Sequence, residues 1–126
     1  MKFATAKIYS PSEDHSRVLT KAVRSVATYL DLSNSELAAV LGVSNASVTR
    51  LKQGRLIMPG KETELAALLV RMYRSLDAIV GGDSAKAVAW FKSHNIHLND
   101  VPARRVLTVE GLVDVVHYLD AMRGKL

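Results

Sequence analysis

The 126-residue sequence contains no cysteine. Disulfides and thiolate metal sites are therefore excluded, and the chain suits a reducing compartment. Aromatic residues make up only 6% of the chain, so any core must be largely aliphatic. Long apolar runs are missing too. The start, "MKFATAKIYSPSEDHS", lacks the hydrophobic stretch of a signal peptide, and nothing later approaches the ~20 apolar residues of a membrane helix. These absences lead us to expect a cytoplasmic protein. Strand-like alternation is confined to one short segment, residues 6–10. Acidic charge is also in short supply, with 12 Asp/Glu against 17 Lys/Arg. The imbalance is local. Eight Lys/Arg face four Asp/Glu in residues 1–60, whereas nine face eight in residues 61–126. Surplus positive charge supplies the sequence-independent part of affinity for a polyanion, and by itself it is weak support for such a role.

What is present is helical periodicity. A first helix is expected from near Ser12, with Glu13 and Asp14 favourably placed in its first turn and Leu19, Val23, Val26 and Leu30 along one stripe. In "LSNSEL", Ser33 and Glu36 have capping-box spacing, so a helix should begin at Asn34 and end at Gly42. Ser44 can cap the next helix, which should stop at Gly54. After Pro59-Gly60, the spacing of Leu65, Leu68, Leu69, Met72, Leu76 and Ile79 predicts a long helix running to Gly81-Gly82. Asp83 should cap a helix carrying Trp90 and Phe91, "HNIHLNDVP" reads as loop, and a last helix should run from Thr108 to about Arg123. An all-α fold follows.

The segment "LAAVLGVSNASVTRLKQG", residues 37–54, is the most informative. Its second helix is oddly polar. With Asn45 set at zero, a rotation of about 100° per residue puts Thr49 near 40°, Gln53 near 80°, Ala46 near 100° and Arg50 near 140°. Val48 and Leu51 fall on the opposite side. One face can anchor the helix while the other offers polar and small groups to an outside partner. A helix entering the major groove needs that arrangement: Arg pairs with guanine, Asn or Gln with adenine, and Ala or a Thr methyl touches a thymine methyl. Arg50, Asn45 and Thr49 are the foremost base-reading candidates. Ala46 and Gln53 share their face, Lys52 and Arg55 suit phosphate contacts, and Ser44 can both cap the helix and reach a phosphate. The competing explanation is a plain helical hairpin with a solvated outer face.

The segment resembles the helix-turn-helix of the Xre-like DNA-binding regulators. Ala38 supplies the small residue, Gly42 the turn, and Leu37, Leu41, Val43, Val48 and Leu51 the packing positions. The remainder, "AVAWFKSHNIHLNDVPARRVLTVEGLVDVVHYLDAMRGKL", is similar to the toxin-binding domain of the Xre/MbcA/ParS antitoxin family. Ala87, Trp90, Asn95, Leu98, Pro102, Val106-Leu107, Thr108, Gly111, Val115, Leu119 and Gly124 carry that likeness. In "WFKSHNIHL" the sequence departs from the family, which more often has Leu after the Trp and Pro before the Asn. The resemblance implies a DNA-binding part over residues 1–60 and a toxin-binding or dimerisation part over 61–126. It further implies a homodimer that represses its own operon. Its toxin partner would commonly be a RES-domain enzyme that consumes NAD, neutralised when the antitoxin's C-terminal part covers the active-site entrance. Arg104, Arg105, Arg123 and Lys125 are then the candidate toxin contacts.

Two features of the rear half call for a structural explanation. Gly111 lies in the first turn of the last helix, where Gly costs about 1 kcal/mol relative to Ala, so another group should approach it closely; Trp90 is the candidate. On the same helix, Leu112, Val115, Val116, Tyr118, Leu119 and Met122 cover an arc of roughly 160°, wider than the ~100° stripe of a one-sided surface helix. Either a second chain covers part of this arc or the domain wraps the helix deeply. No catalytic set has a recognisable context. His94 and His97 have a spacing that suits a metal but lack a third ligand, so neither a cofactor nor a metal is expected. A stand-alone regulator whose rear half only dimerises, and an interaction module without DNA affinity, are the rival readings.

Overall fold

Residues 11–126 are described by the computed structural model; the strand-like segment 6–10 lies outside them. Among the described residues seven helices follow one another: α1 (Pro11–Tyr29), α2 (Asn34–Leu41), α3 (Asn45–Lys52), α4 (Lys61–Ile79), α5 (Ser84–Lys92), α6 (Pro102–Arg105) and α7 (Val109–Arg123). Among the described residues the only extended pairing is an isolated bridge between Asn95 and Asp100. The fold is all-α.

Local chemistry sets the helix limits. The Ser33 hydroxyl accepts from the Glu36 amide (3.1 Å) while Glu36 Oε1 accepts from the Ser33 amide (2.8 Å), closing the capping box at the start of α2. Gly42 ends α2 with φ +71°, a left-handed conformation that costs glycine nothing. Ser44, Asp83 and Thr108 each accept the third amide of the helix they precede. The four-residue α6 has no counterpart in the periodicity reading. Pro102 sits in its first turn, and Pro102 and Ala103 are buried.

One continuous core runs through all seven helices. Helix α4 is its spine, packing most extensively against α7 and next against α1. Its Leu69, Met72 and Leu76 are completely buried. Two buried hydroxyls fasten neighbouring segments to this frame. Thr20 of α1 donates to the Ser16 carbonyl (2.6 Å) and accepts the Ile57 amide (2.9 Å), tying the loop after α3 to α1. Ser75 of α4 donates to Asp120 of α7 (2.9 Å), a carboxylate that Arg71 also grips. Lys92 at the end of α5 reaches the Asp31 carbonyl (3.0 Å) and carboxylate (3.1 Å), joining the rear half to the α1–α2 turn.

Helix α7 accounts for its own wide apolar arc. Leu112, Val115, Val116 and Leu119 are buried within the chain, Tyr118 is half-buried, and Met122 alone of the six is exposed. Wrapping within the chain covers four of the six positions, and Tyr118 and Met122 keep exposed surface. Gly111 also differs from expectation. A Cβ there would lie 1.8 Å from the Arg105 carbonyl oxygen and 2.7 Å from its carbon. The close neighbour is the end of α6, brought back against the first turn of α7, and not Trp90. The indole instead stacks on Tyr118 (centroids 6.3 Å apart, planes 11°), whose other neighbour is the His97 ring at 5.8 Å.

Candidate nucleic-acid and partner-binding faces

Helix α3 is anchored by two side chains, Val48 and Leu51, both at most 1% exposed. The rotation between them and the polar positions is what leaves the rest of the helix facing outward. Ser44, Asn45, Ala46, Thr49, Arg50, Lys52 and Gln53 are all exposed. The structure therefore brings these seven candidates onto one continuous surface.

Several of them are oriented by light polar contacts. Asn45 Nδ2 donates to Ser35 Oγ (3.3 Å), Arg50 donates to Ser47 Oγ (3.1 Å), and Thr49 donates to the Asn45 carbonyl (3.2 Å). Lys52 donates to the Asn34 side-chain oxygen. None of these contacts is to a carboxylate. Arg50 and Lys52 thus keep their positive charge uncompensated by any ion pair among the described residues. The first turn of α2, through Asn34 and Ser35, borders the polar face of α3 and belongs to the same surface.

Arg55 is placed differently. It is half-buried and makes a two-pronged pair with Glu62 (2.9 and 2.8 Å), an acceptor that also takes the Met58 amide (3.3 Å). Those hydrogen bonds, more than the Coulomb attraction, push its guanidinium further above its ordinary value. The pair staples the loop after α3 to the start of α4, so Arg55 has a structural task and stands apart from the exposed set. Sequence reasoning missed a second basic residue, Arg24 of α1, which donates to the Leu51 carbonyl (3.3 Å) at the end of α3. A separation of 27 residues left no local signal for that contact.

The rear-half candidates divide in the same way. Arg104, Arg123 and Lys125 are exposed, Arg104 facing Asp100 at 3.7 Å. Arg105 is half-buried and paired with Asp114 on α7. The loop between α5 and α6 is held by Asn95, whose side-chain oxygen accepts the amides of His97 (2.9 Å) and Leu98 (3.0 Å). It presents Ile96, 81% exposed, with His94 and His97 beside it. Among the described residues there is no group of three or more His, Asp or Glu able to hold a metal, and no helix long and apolar enough to cross a membrane.

Two family models match this architecture. Residues 11–71 match the antitoxin Xre-like helix-turn-helix domain, and residues 75–125 match the antitoxin Xre/MbcA/ParS C-terminal toxin-binding domain. The chain belongs to the Xre/MbcA/ParS antitoxin family. A search of curated proteins finds no match. The two matched segments meet inside α4, the helix that packs against both α1 and α7. This antitoxin therefore carries its helix-turn-helix and its toxin-binding domain on one shared helix.

Proposed function

We propose that this chain is a type II antitoxin that represses its own operon through α2–α3 and neutralises a co-expressed toxin by direct contact through its rear half. The observation that carries the first part is the outward face of α3, where Asn45, Thr49 and Arg50 stand exposed opposite two buried anchors. That face suits base-edge contacts in a major groove, with Ala46 and Gln53 beside the three and Ser44 and Lys52 set for phosphates. Helix-turn-helix proteins read half-sites about one helical turn apart as dimers, so a homodimer on an inverted repeat completes the reading.

For the second part, the matched toxin-binding domain supports a protein partner. Family likeness favours a RES-type, NAD-consuming toxin whose active-site entrance the antitoxin covers. Arg104, Arg123 and Lys125 are the cations presented for that contact, while Arg105 supports the surface from its pair with Asp114. We place the functional division near residue 60, beside the start of α4, while the helix-turn-helix match itself extends to residue 71.

One paired experiment tests both parts. Arg50→Ala should abolish specific binding to the upstream region of the chain's own operon and leave capture of the neighbouring toxin intact. Reversing Arg104, Arg123 and Lys125 to Glu should do the opposite. Deleting α7 would be uninformative, because Leu112, Val115, Val116 and Leu119 belong to the core and their loss would unfold the protein. If Arg50→Ala leaves operator binding untouched, the assignment of α3 is wrong; if the charge reversals leave capture untouched, the toxin contact lies elsewhere.

A further inference from the structure

Helix α1 carries a second basic surface beside the first. Lys21, Arg24, Ser25, Thr28 and Tyr29 line a shallow hollow on its outer side. Positions 21, 24, 25 and 28 are neighbours on one helical face, and the step from 21 to 28 covers roughly 10 Å of helix. This hollow adjoins the recognition helix, since Arg24 is bonded to the carbonyl of Leu51, between Arg50 and Lys52.

No carboxylate lines the hollow. Other basic residues, though not all, are matched by acids: Arg17 by Glu13, Arg55 by Glu62, Arg71 by Asp120 and Arg105 by Asp114. Lys21, Arg24, Arg50 and Lys52 have no acid within ion-pair distance among the described residues, and the bond from Arg24 to the Leu51 carbonyl joins α1 to the helix that carries the last two. An uncompensated cluster of cations repels itself, and a polyanion relieves that repulsion.

Arg24 also resolves a local conflict. The C-terminal end of a helix carries partial negative charge and would repel a phosphate approaching beyond Leu51. The guanidinium on that carbonyl reverses the sign at the spot. One of its five N–H donors is spent there, and the others remain for an external acceptor. The Thr28 hydroxyl, which donates to the Arg24 carbonyl (3.1 Å), keeps its oxygen available as a polar neighbour.

We propose that Lys21 and Arg24, with Ser25 and Thr28 beside them, form a phosphate shelf for the backbone of the same duplex whose major groove α3 enters. This rests on the DNA-binding reading of α3 and adds a second, sequence-independent hold to it. The shelf positions the duplex and reads no bases.

The test uses the full chain and two duplexes of equal length, one spanning the upstream region of its own gene and one with that sequence scrambled. Affinity is measured over a salt series for the unaltered protein, Lys21→Ala, Lys21→Glu, Arg24→Gln and Arg50→Ala. Lys21→Ala should weaken both duplexes by the same factor and reduce the slope of log affinity against log salt by about one, with Lys21→Glu stronger in the same direction. Arg24→Gln should do likewise, with thermal unfolding checking that the α3 contact is not needed for folding. Arg50→Ala should instead erase the preference for the upstream duplex. Should the Lys21 variants keep the original slope while Arg50→Ala loses the preference, the shelf is refuted and the α3 reading stands. Should the unaltered chain show no salt-dependent binding to either duplex, the reading of α3 falls and the shelf with it. Loss of toxin capture in Lys21→Glu, with DNA binding unchanged, would give the surface to a protein partner and overturn the proposal.

Discussion

A methyl group added at Gly111 would be driven into the Arg105 carbonyl, 1.8 Å away, and the obstacle is backbone that cannot swing aside as a side chain can. In an open helix Gly→Ala gains about 1 kcal/mol. Here the sign should reverse: Gly111→Ala is expected to destabilise by about 1–3 kcal/mol as α6 is pushed off α7, and urea denaturation measures it. A variant as stable as the parent would show that α6 yields freely. Single residues were also where sequence reasoning reached its limit. The pattern showed that some group must approach Gly111 but not which one, because the answer depends on how α6 returns to α7. Arg55 and Arg105 show the same limit. Their charge is visible in the sequence, but the carboxylates that occupy them, Glu62 and Asp114, are fixed only by folding.

At the scale of elements, the boundaries of α2, α3, α5 and α7 were legible because caps act within three residues of themselves. The Ser33–Glu36 box illustrates the gain from such local chemistry. Replacing both residues with Ala should cost about 0.5–2 kcal/mol, and chemical denaturation of the double variant checks this. Because α2 supplies Ser35 and Asn34 to the side of α3, amide exchange in α3 should quicken as well. No change in either measurement would mean that tertiary packing alone holds α2. Helix α6 was not legible, since four residues are too few to show a period. Its position owes more to two buried side chains than to any signal of its own. The polar face of α3 was legible in full, as two buried anchors fix the orientation of every other position on so short a helix. Its extension onto α1 was not, because Arg24 meets Leu51 only in three dimensions.

Across the whole molecule, the two matched family segments meet on α4, whose Leu69, Met72 and Leu76 belong to one core with α1 and α7. The two matched domains therefore share one core. Unfolding in urea should follow a single transition, coincident when followed by helix content and by the lone Trp90. Two separated transitions would show instead that the halves are independent. A chain ended at residue 60 loses the whole of α4 and should not fold. The sequence suggested two parts because their chemistry differs; it could not show that they share one helix as a common wall. Genetics should reveal that sharing. On the proposed function, selections for alleles that lose repression yet still protect against the toxin, or the reverse, should yield surface positions almost exclusively. Lesions at Leu69, Met72 or Leu76 should always forfeit both traits together.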